Sequence, residues 1–443
     1  MTIYALSSGP GISGIAVIRI SGNQSKSILT ALTDQPSPKK RLATLKKIKN
    51  NKTNEIIDEG IVIWFPGPNT YTGEDMVEFH VHGSKAVVEE LQNVISKFEN
   101  CRLAEPGEFT KLAFQNNKIN LLKAESIGDL IAAETELQRK QALRIMSGDS
   151  SKKFNIWREG LIKILADVET KIDFPDEDIS AKISEAIKSE SEKIKNQIKK
   201  TLDDDSVGEI IREGFKIAII GPPNVGKSSL LNYLSKREAA IVSEKAGTTR
   251  DVIEIHLDLG GFPVIISDTA GIRDSGDEIE SRGVKLAIRS AEEADLNIIL
   301  LDPKNLDFKG FFEHKISDKS IIAINKSDLG KENLNKLEKN INPILISVKE
   351  DNNIDKLIEE IKLKLKNQFL KTENVLITRS RHRQHLKECY KHLNSFLEKK
   401  NNQEFDKAAE DLRLSIRHLG TIVGRVDVEE ILGSIFENFC IGK

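Results

Sequence analysis

Cysteine, tryptophan and methionine are scarce in this 443-residue sequence, which carries three Cys, two Trp and three Met, and aromatics make up only 5% of it. Cys101, Cys389 and Cys440 lie far apart, lack CxxC spacing and cannot all pair. That excludes a disulfide framework or a thiolate zinc ribbon and points to a reducing compartment, with the cytosol as the expected location. No run approaches the roughly 18 uncharged apolar residues of a membrane helix, so no span is expected. Met1-Thr2-Ile3-Tyr4 enters strand-like sequence directly, with neither a basic head nor an apolar signal core. An excess of one charge sign is missing too: 66 Lys and Arg face 68 Asp and Glu, for a net charge of -2. A bulk polyanion-binding surface is therefore excluded, and any nucleic-acid contact has to be a local patch. Internal repeats and long low-complexity segments are absent, and 39% hydrophobic residues exclude global disorder.

The length predicts about three domains, each with its own core. Residues 1–117 mix strand and helix patterns. Gly14 to Ser21 and Ile56 to Phe65 are rich in Ile and Val, Met76 to His82 alternates, and Ser84 to Phe98 has helical spacing. An α+β domain is expected there. Over 118–213 the period is helical, with Phe154, Trp157, Leu161, Ile164, Leu165, Val168 and Ile172 on one stripe. Asp173-Phe174-Pro175-Asp176 should end that helix, a second should carry Ile183, Ile187, Ile194, Ile198 and Leu202, and Asp203-Asp204-Asp205 reads as a linker. Strands and helices alternate over 214–370. Helical periodicity returns over 371–443, with Leu386, Tyr390, Leu393 and Leu397, then Phe405, Ala409, Leu412, Ile416 and Leu419. Amphipathic helices on both flanks of an α/β module need partners, and each flank can serve the other. The expected architecture is a multidomain α/β protein in which a P-loop, Ras-like module is inserted into a helical domain that follows the α+β domain.

The inserted module spells out a nucleotide site. Lys216 to Ile220 is a buried-strand run that delivers the chain into Gly221-Pro222-Pro223-Asn224-Val225-Gly226-Lys227-Ser228, with a helix expected from near Ser229. Backbone N–H groups of such a loop favour an anion, Lys227 can reach the outer phosphates, and the Ser228 hydroxyl can ligate Mg²⁺. Gly247-Thr248-Thr249-Arg250-Asp251 lies between two expected strands, where a switch loop sets a hydroxyl on the metal, and Thr249 is the candidate. Val264 to Ser267 leads into Asp268-Thr269-Ala270-Gly271, with Asp268 suited to the metal's surroundings and the Gly271 N–H to the γ-phosphate. Asn325-Lys326-Ser327-Asp328 is the pattern that reads guanine through a carboxylate accepting two N–H bonds. Ser347-Val348-Lys349 falls where a base-backing loop belongs, and Val348 departs from the usual Ala there. The expected GTP contacts are therefore Asn224, Val225, Gly226, Lys227, Ser228 and Ser229, then Ser243, Glu244, Lys245, Ala246, Gly247, Thr248 and Thr249. To these the later motifs add Asp268, Thr269, Ala270, Gly271, Asn325, Lys326, Asp328, Ser347, Val348 and Lys349.

Ras-like switches place Gln after Asp-x-x-Gly to orient the attacking water, whereas Ile272 stands here. The acidic stretch Asp277-Glu278-Ile279-Glu280-Ser281-Arg282-Gly283 offers a carboxylate for that water, although by periodicity alone it better suits a solvated helix start.

Five stretches carry a resemblance along the whole chain: Tyr71-Thr72-Gly73-Glu74-Asp75, Pro106-Gly107-Glu108-Phe109-Thr110, Ile172 to Ile179, the GTPase module, and Phe439-Cys440-Ile441-Gly442-Lys443. On these the chain resembles the MnmE (TrmE) family of tRNA modification GTPases. Ribosome-assembly GTPases, the rival class, are similar in the module alone. The resemblance implies a cytoplasmic, K⁺-dependent GTPase that helps build an aminomethyl-type group, of the carboxymethylaminomethyl kind, at carbon 5 of the tRNA wobble uridine. It implies a homodimer joined through the N-terminal domain, an FAD-containing MnmG-type partner in a heterotetramer, and a one-carbon unit from a tetrahydrofolate derivative in the 5-formyl or methylene form. It makes Glu280 the water-orienting catalytic residue. K⁺ falls to the Asn224 side chain and to the loop of Ser243, Lys245 and Thr248, although the family usually has an aliphatic residue where Lys245 stands. Folate falls to Arg19, Glu78, Lys118 and Lys443.

Each of those folate positions also has an ordinary reading from the residues. Arg19 suits a surface charge at a strand end, Lys118 a polar loop, and Lys443 a frayed tail. Glu78 shares a strand face with His80 and His82, opposite Val77, Phe79 and Val81, and a carboxylate there suits the amidine-like edge of a pterin. The two histidines lack a third zinc ligand nearby. Cys440 is a candidate thiol or a small core residue. Thr378-Arg379-Ser380-Arg381-His382-Arg383-Gln384, with Lys387 and Lys391, is the strongest basic patch, suited to tRNA phosphates or to a solvated helix start.

Overall fold

The computed structural model describes residues 1–33, 36, 38–173, 181–237, 240–241, 253–268, 288–304, 306, 319–330, 342–369, 375–399, 405–426, 432, 435–436 and 439–442. Two compact units form: Met1–Gly128 with Ile145–Ser191 and Lys391–Lys443, and Asp129–Arg144 with Glu192–Tyr390.

In the first unit, β1 (Thr2–Leu6), β2 (Ser13–Ser21), β3 (Thr44–Lys49), β4 (Ile56–Phe65), β5 (Met76–Gly83) and β6 (Cys101–Leu103) form a six-stranded sheet in the order β3-β4-β5-β2-β1-β6. Its pairings are antiparallel except that β6 runs parallel to β1. The period-2 pattern sorts the faces. Ile18, Ile20, Val77, Phe79 and Val81 are buried against α1 (Ser25–Leu32) and α2 (Lys85–Ser96), which contribute Ile28, Leu29, Leu32, Leu91, Val94 and Ile95. Ser84 caps α2 by accepting from the Val87 N–H. The opposite face carries Arg19, Glu78 and His80, with Arg19 directly across from Glu78. α3 (Glu108–Gln115) and the start of α4 (Leu121–Ile131) follow.

The helical stripe is buried as its spacing predicts. In α6 (Asp149–Asp173) Phe154, Trp157, Leu161, Ile164 and Val168 face inward, with Leu165 and Ile172 at the margin, and α6 packs along the helix Phe405–Val423. The helix stops at Asp173, immediately before Phe174-Pro175. Trp157 is 1% exposed, tilts against Phe154 at 5.7 Å between ring centroids, and has the Lys153 ammonium 5.6 Å above its ring. Trp157→Ala is expected to cost about 3–5 kcal/mol through the cavity it leaves. Urea unfolding followed by far-ultraviolet circular dichroism would read this as a lowered midpoint, and an unchanged midpoint would contradict the packing described.

The second unit centres on a seven-stranded sheet in the order β13-β12-β11-β7-β10-β9-β8. Its strands are β7 (Phe215–Ile220), β8 (Ala240–Ile241), β9 (Ile253–Leu259), β10 (Phe262–Asp268), β11 (Leu296–Leu301), β12 (Ser320–Ile324) and β13 (Ile344–Leu345). β9 is antiparallel to both neighbours, and the other pairs are parallel. β7 and β11 are near-continuous apolar runs because parallel strands are covered on both faces. α9 (Lys227–Arg237) and the helix Ile354–Phe369 bury Leu230, Leu231, Leu234, Ile358 and Ile361 against the sheet.

Two readings of the flanking segments are corrected. Asp203-Asp204-Asp205 is no free linker: Asp205 and Ser206 take positive φ, a turn that starts α8 (Val207–Glu213). The basic patch is not a solvated surface either. Arg383 bonds Glu209, Asp204 and the Leu202 carbonyl with only 12% of its side chain exposed, and Arg379 bonds Asp129 at 2.7 Å. Burial works against the Arg383 charge, and its bonds to Glu209 and Asp204 outweigh that and raise its pKa above the ordinary arginine value. These arginines clamp helices of their own unit, so their charge is spent internally.

Candidate functional site

The nucleotide site begins where β7 ends. Gly221 has φ +154°, and a Cβ there would stand 2.0 Å from the Leu300 carbonyl, so only glycine lets β7 turn beside β11. Asn224 takes the left-handed conformation and is exposed, and α9 starts at Lys227, two residues before the expected point because Gly226 already completes the turn. The Lys227 ammonium is held by the carbonyls of Gly221 and Pro222, each at 2.9 Å. It thus sits at the loop mouth, where the negative outer phosphates can replace carbonyl partners.

Three separate segments converge on that loop. Buried Asn325 donates from Nδ2 to the Val225 carbonyl at 2.9 Å, while its Oδ1 accepts from the Val348 N–H at 3.1 Å. Val348 therefore contributes through its backbone, which explains why a branched side chain is tolerated there. Lys326 donates to the Asn224 carbonyl and pairs with Asp302 at 3.3 Å. Exposed Asp328 accepts from the Ser347 hydroxyl at 2.6 Å, and that bond leads the causes that lower its pKa below the ordinary carboxylate value. It is ionised at neutral pH and open to a base. Ser228, Ser229 and Lys349 are exposed on the same unit. Asp268 ends β10. Ser243, Glu244, Lys245, Ala246, Gly247, Thr248, Thr249, Thr269, Ala270, Gly271 and Glu280 lie outside the described residues.

A second site forms on the first unit. Glu78 accepts from Arg19 at 2.9–3.0 Å and contacts His80 Nε2 at 3.2 Å, while His82 pairs with Asp58 at 2.9 Å instead of facing His80 as a co-ligand. The rings of Tyr71 and Phe109 lie 5.9 and 5.7 Å from the Arg19 guanidinium. The Tyr71 hydroxyl bonds that of Thr110 at 2.8 Å, and burial leads the causes that raise its pKa. Thr72 joins this loop to Ser21 and Asn116, and the Lys118 Cε comes within 3.0 Å of where a Cβ on Gly73 would stand. Arg19, Glu78 and the Lys118 loop therefore belong to one assembly, which none of their separate sequence positions reveals. Tyr71, Phe109 and Ser7 had no assigned role in the sequence, and no periodicity marks them.

The tail closes the same assembly. Phe436 and Phe439 pack with Leu121 and Ala124, Ile441 bridges to Pro106, and the Gly442 carbonyl accepts from Ser7 Oγ at 2.9 Å and Arg19 Nη1 at 3.4 Å. A frayed tail is thereby excluded as far as Gly442, and Lys443 lies outside the described residues. Cys440 is exposed rather than a core residue. Gly442 has φ +95°, and a Cβ would stand 2.3 Å from the Leu6 carbonyl. Gly442→Ala is expected to undock the tail, because an added Cβ meets the Leu6 carbonyl and the positive φ disfavours any side chain there. Basal GTP turnover should not change. Limited proteolysis of the tail beside a GTPase assay checks both halves.

Comparison with known proteins adds lineage to this geometry. Residues 121–440 match the family model described as the MnmE helical domain, and residues 2–118 match that of the GTP-binding protein TrmE N-terminus. The chain is 62% identical to a tRNA modification GTPase MnmE of Pelagibacter ubique (strain HTCC1062), with 100% of both chains covered. It is 45% identical to one of Rickettsia bellii (strain RML369-C) and 46% to one of Rickettsia rickettsii (strain Sheila Smith), again with 100% of each chain covered. Among the described residues no helix is long and apolar enough to cross a membrane.

Proposed function

The chain belongs to the MnmE family of tRNA modification GTPases, and on that premise we propose that its GTP turnover serves a wobble-uridine C5 modification that uses a tetrahydrofolate derivative held by the first unit. The observation that carries this reading is the convergence of Arg19, Glu78, the Tyr71 and Phe109 rings and the Gly442 carbonyl in one place. These groups suit a reduced pterin: a carboxylate for its amidine-like edge, rings for its faces, and a guanidinium and Lys118 for negative groups. When bound, such a folate supplies a one-carbon unit. The chain's own residues bind and orient it, and Cys440 stands exposed on the tail two residues from the Gly442 contact.

In the GTPase module, Lys227 and Ser228 hold the phosphates and Mg²⁺, Thr249 adds a second hydroxyl to the metal, and Asp328 selects guanine. The Asn224 side chain makes no bond among the described residues, which leaves it available to K⁺ together with Ser243, Lys245 and Thr248. A homodimer, an FAD-containing MnmG-type partner, tRNA as substrate and a cytoplasmic location complete the reading. Equilibrium dialysis with 5-formyltetrahydrofolate tests its central step. Arg19→Ala with Glu78→Ala should cut affinity by at least about tenfold, the loss of one charge-assisted contact or more. No uptake by the wild-type chain, or uptake indifferent to the double change, would favour a regulatory GTPase without folate chemistry.

A further inference from the structure

Arg158 on α6 is half-buried, and its Nε is closed to solvent with no hydrogen-bond acceptor. Arg425, just past the end of the helix Phe405–Val423, is exposed. The Arg158 side chain and the Arg425 backbone both meet Gly420. A Cβ at that position would lie 3.6 Å from Arg158 Nε and 2.8 Å from a Val426 methyl, and the Arg425 N–H donates to the Gly420 carbonyl at 2.8 Å. Among the described residues neither arginine has an ion-pair partner. Burial and then the neighbouring Arg425 charge lower the Arg158 pKa, with Glu159 the lesser and opposing influence.

Like charges on neighbouring segments repel, and a partly buried cation without a counter-charge is unfavourable unless something negative completes the arrangement. The carboxyl end of the Phe405–Val423 helix supplies partial negative charge for one of them. It does not match two. Arg379 and Arg383, by contrast, sit in ion pairs that consume their charge. With a net charge of -2 on the whole chain, contact with a polyanion has to come from a local group of cations, and the charges of Arg158 and Arg425 are not consumed by ion pairs among the described residues.

We infer that Arg158 and Arg425 form an oxyanion-binding point on the first unit whose occupant is a backbone phosphodiester of the RNA substrate. Guanidinium forks match phosphate oxygens in pairs, and such contacts fix the register of a nucleic acid without reading its bases. The inference rests on tRNA being the substrate.

The test measures binding of a fluorescently labelled, unmodified tRNA transcript to the full-length chain by anisotropy, over about 50 to 200 mM salt. Arg158→Gln and Arg425→Gln should each weaken binding about three- to tenfold and reduce the slope of log affinity against log salt by about one, and the double change by about two. Arg158→Lys should keep the slope, and GTP turnover without tRNA should be unchanged in every variant. A double variant with unaltered affinity and slope, whether or not its unfolding midpoint falls, would reduce the pair to a helix-terminus support and overturn the proposal while leaving tRNA as substrate. Wild-type chain that binds no tRNA would remove both. Inorganic phosphate is the second probe. If it raises the unfolding midpoint of the wild type but not of the double variant, while tRNA affinity is equal in the two, the site takes a free anion and the RNA assignment is wrong.

Discussion

Asp328→Asn is expected to lower GTP affinity at least about a hundredfold and to shift preference toward xanthosine triphosphate. Guanine presents a ring N–H and an exocyclic N–H to one carboxylate, and each bond to a charged group contributes roughly 1.5–3 kcal/mol. An Asn amide keeps one acceptor and offers a donor in place of the other. It meets guanine with one donor facing a donor, whereas xanthine supplies a carbonyl there. The fold already presents Asp328 for this purpose: it is exposed, ionised, and aligned by the Ser347 hydroxyl at 2.6 Å. Competition of labelled GDP against GTP and xanthosine triphosphate measures the switch. GTP affinity that stays within about threefold of wild type would mean that the base is read elsewhere.

Glu280→Ala should leave GTP affinity intact and reduce turnover by about a hundredfold or more, the usual contribution of a positioned acid–base group. Glu280 lies outside the described residues, and its expected role follows from the chemistry of the surrounding sequence. Ile272 cannot orient water, and the acidic stretch Asp277 to Gly283 that follows offers three carboxylates, Asp277, Glu278 and Glu280. Family resemblance selects Glu280 among them. Replacing K⁺ by Na⁺ should also slow hydrolysis sharply, since a cation acting in place of an arginine finger has about 10³ to 10⁵ in rate to supply. Single-turnover rates in the two salts, with and without Glu280, separate the contributions. Turnover of the alanine variant within about threefold of wild type would leave Glu280 a solvated charge, and cation-indifferent rates would remove Asn224 from the ion site.

Legibility in the sequence followed the range of the interaction. The β2, β4 and β5 strands, the α6 stripe and the phosphate loop were readable because period and motif are local properties. Asn325 and Asp328 were readable because their chemistry fixes their spacing. The basic stretch at Arg379–Arg383 misled because its partners, Asp129, Asp204 and Glu209, lie some 174 to 250 positions away along the chain. For the same reason Asp203-Asp204-Asp205 looked unstructured. Tyr71 and Phe109 lie in stretches that carry the family resemblance, but their place beside Arg19 was not legible, since an aromatic residue near a distant arginine leaves no trace in either local sequence.

The tail contact has a temporal side. Ser7 and Gly442 are separated by 435 positions, so the hydroxyl that grips the tail leaves the ribosome long before its acceptor exists. At roughly 5–20 residues per second of synthesis, about 20 to 90 seconds separate that hydroxyl from the segment it holds. During that interval Arg19 and Glu78 keep each other, His80 and the Tyr71 and Phe109 rings but lack the Gly442 carbonyl. A nascent chain therefore cannot complete the Arg19 and Glu78 face early, and a truncated product lacks the tail contact however well its sheet folds.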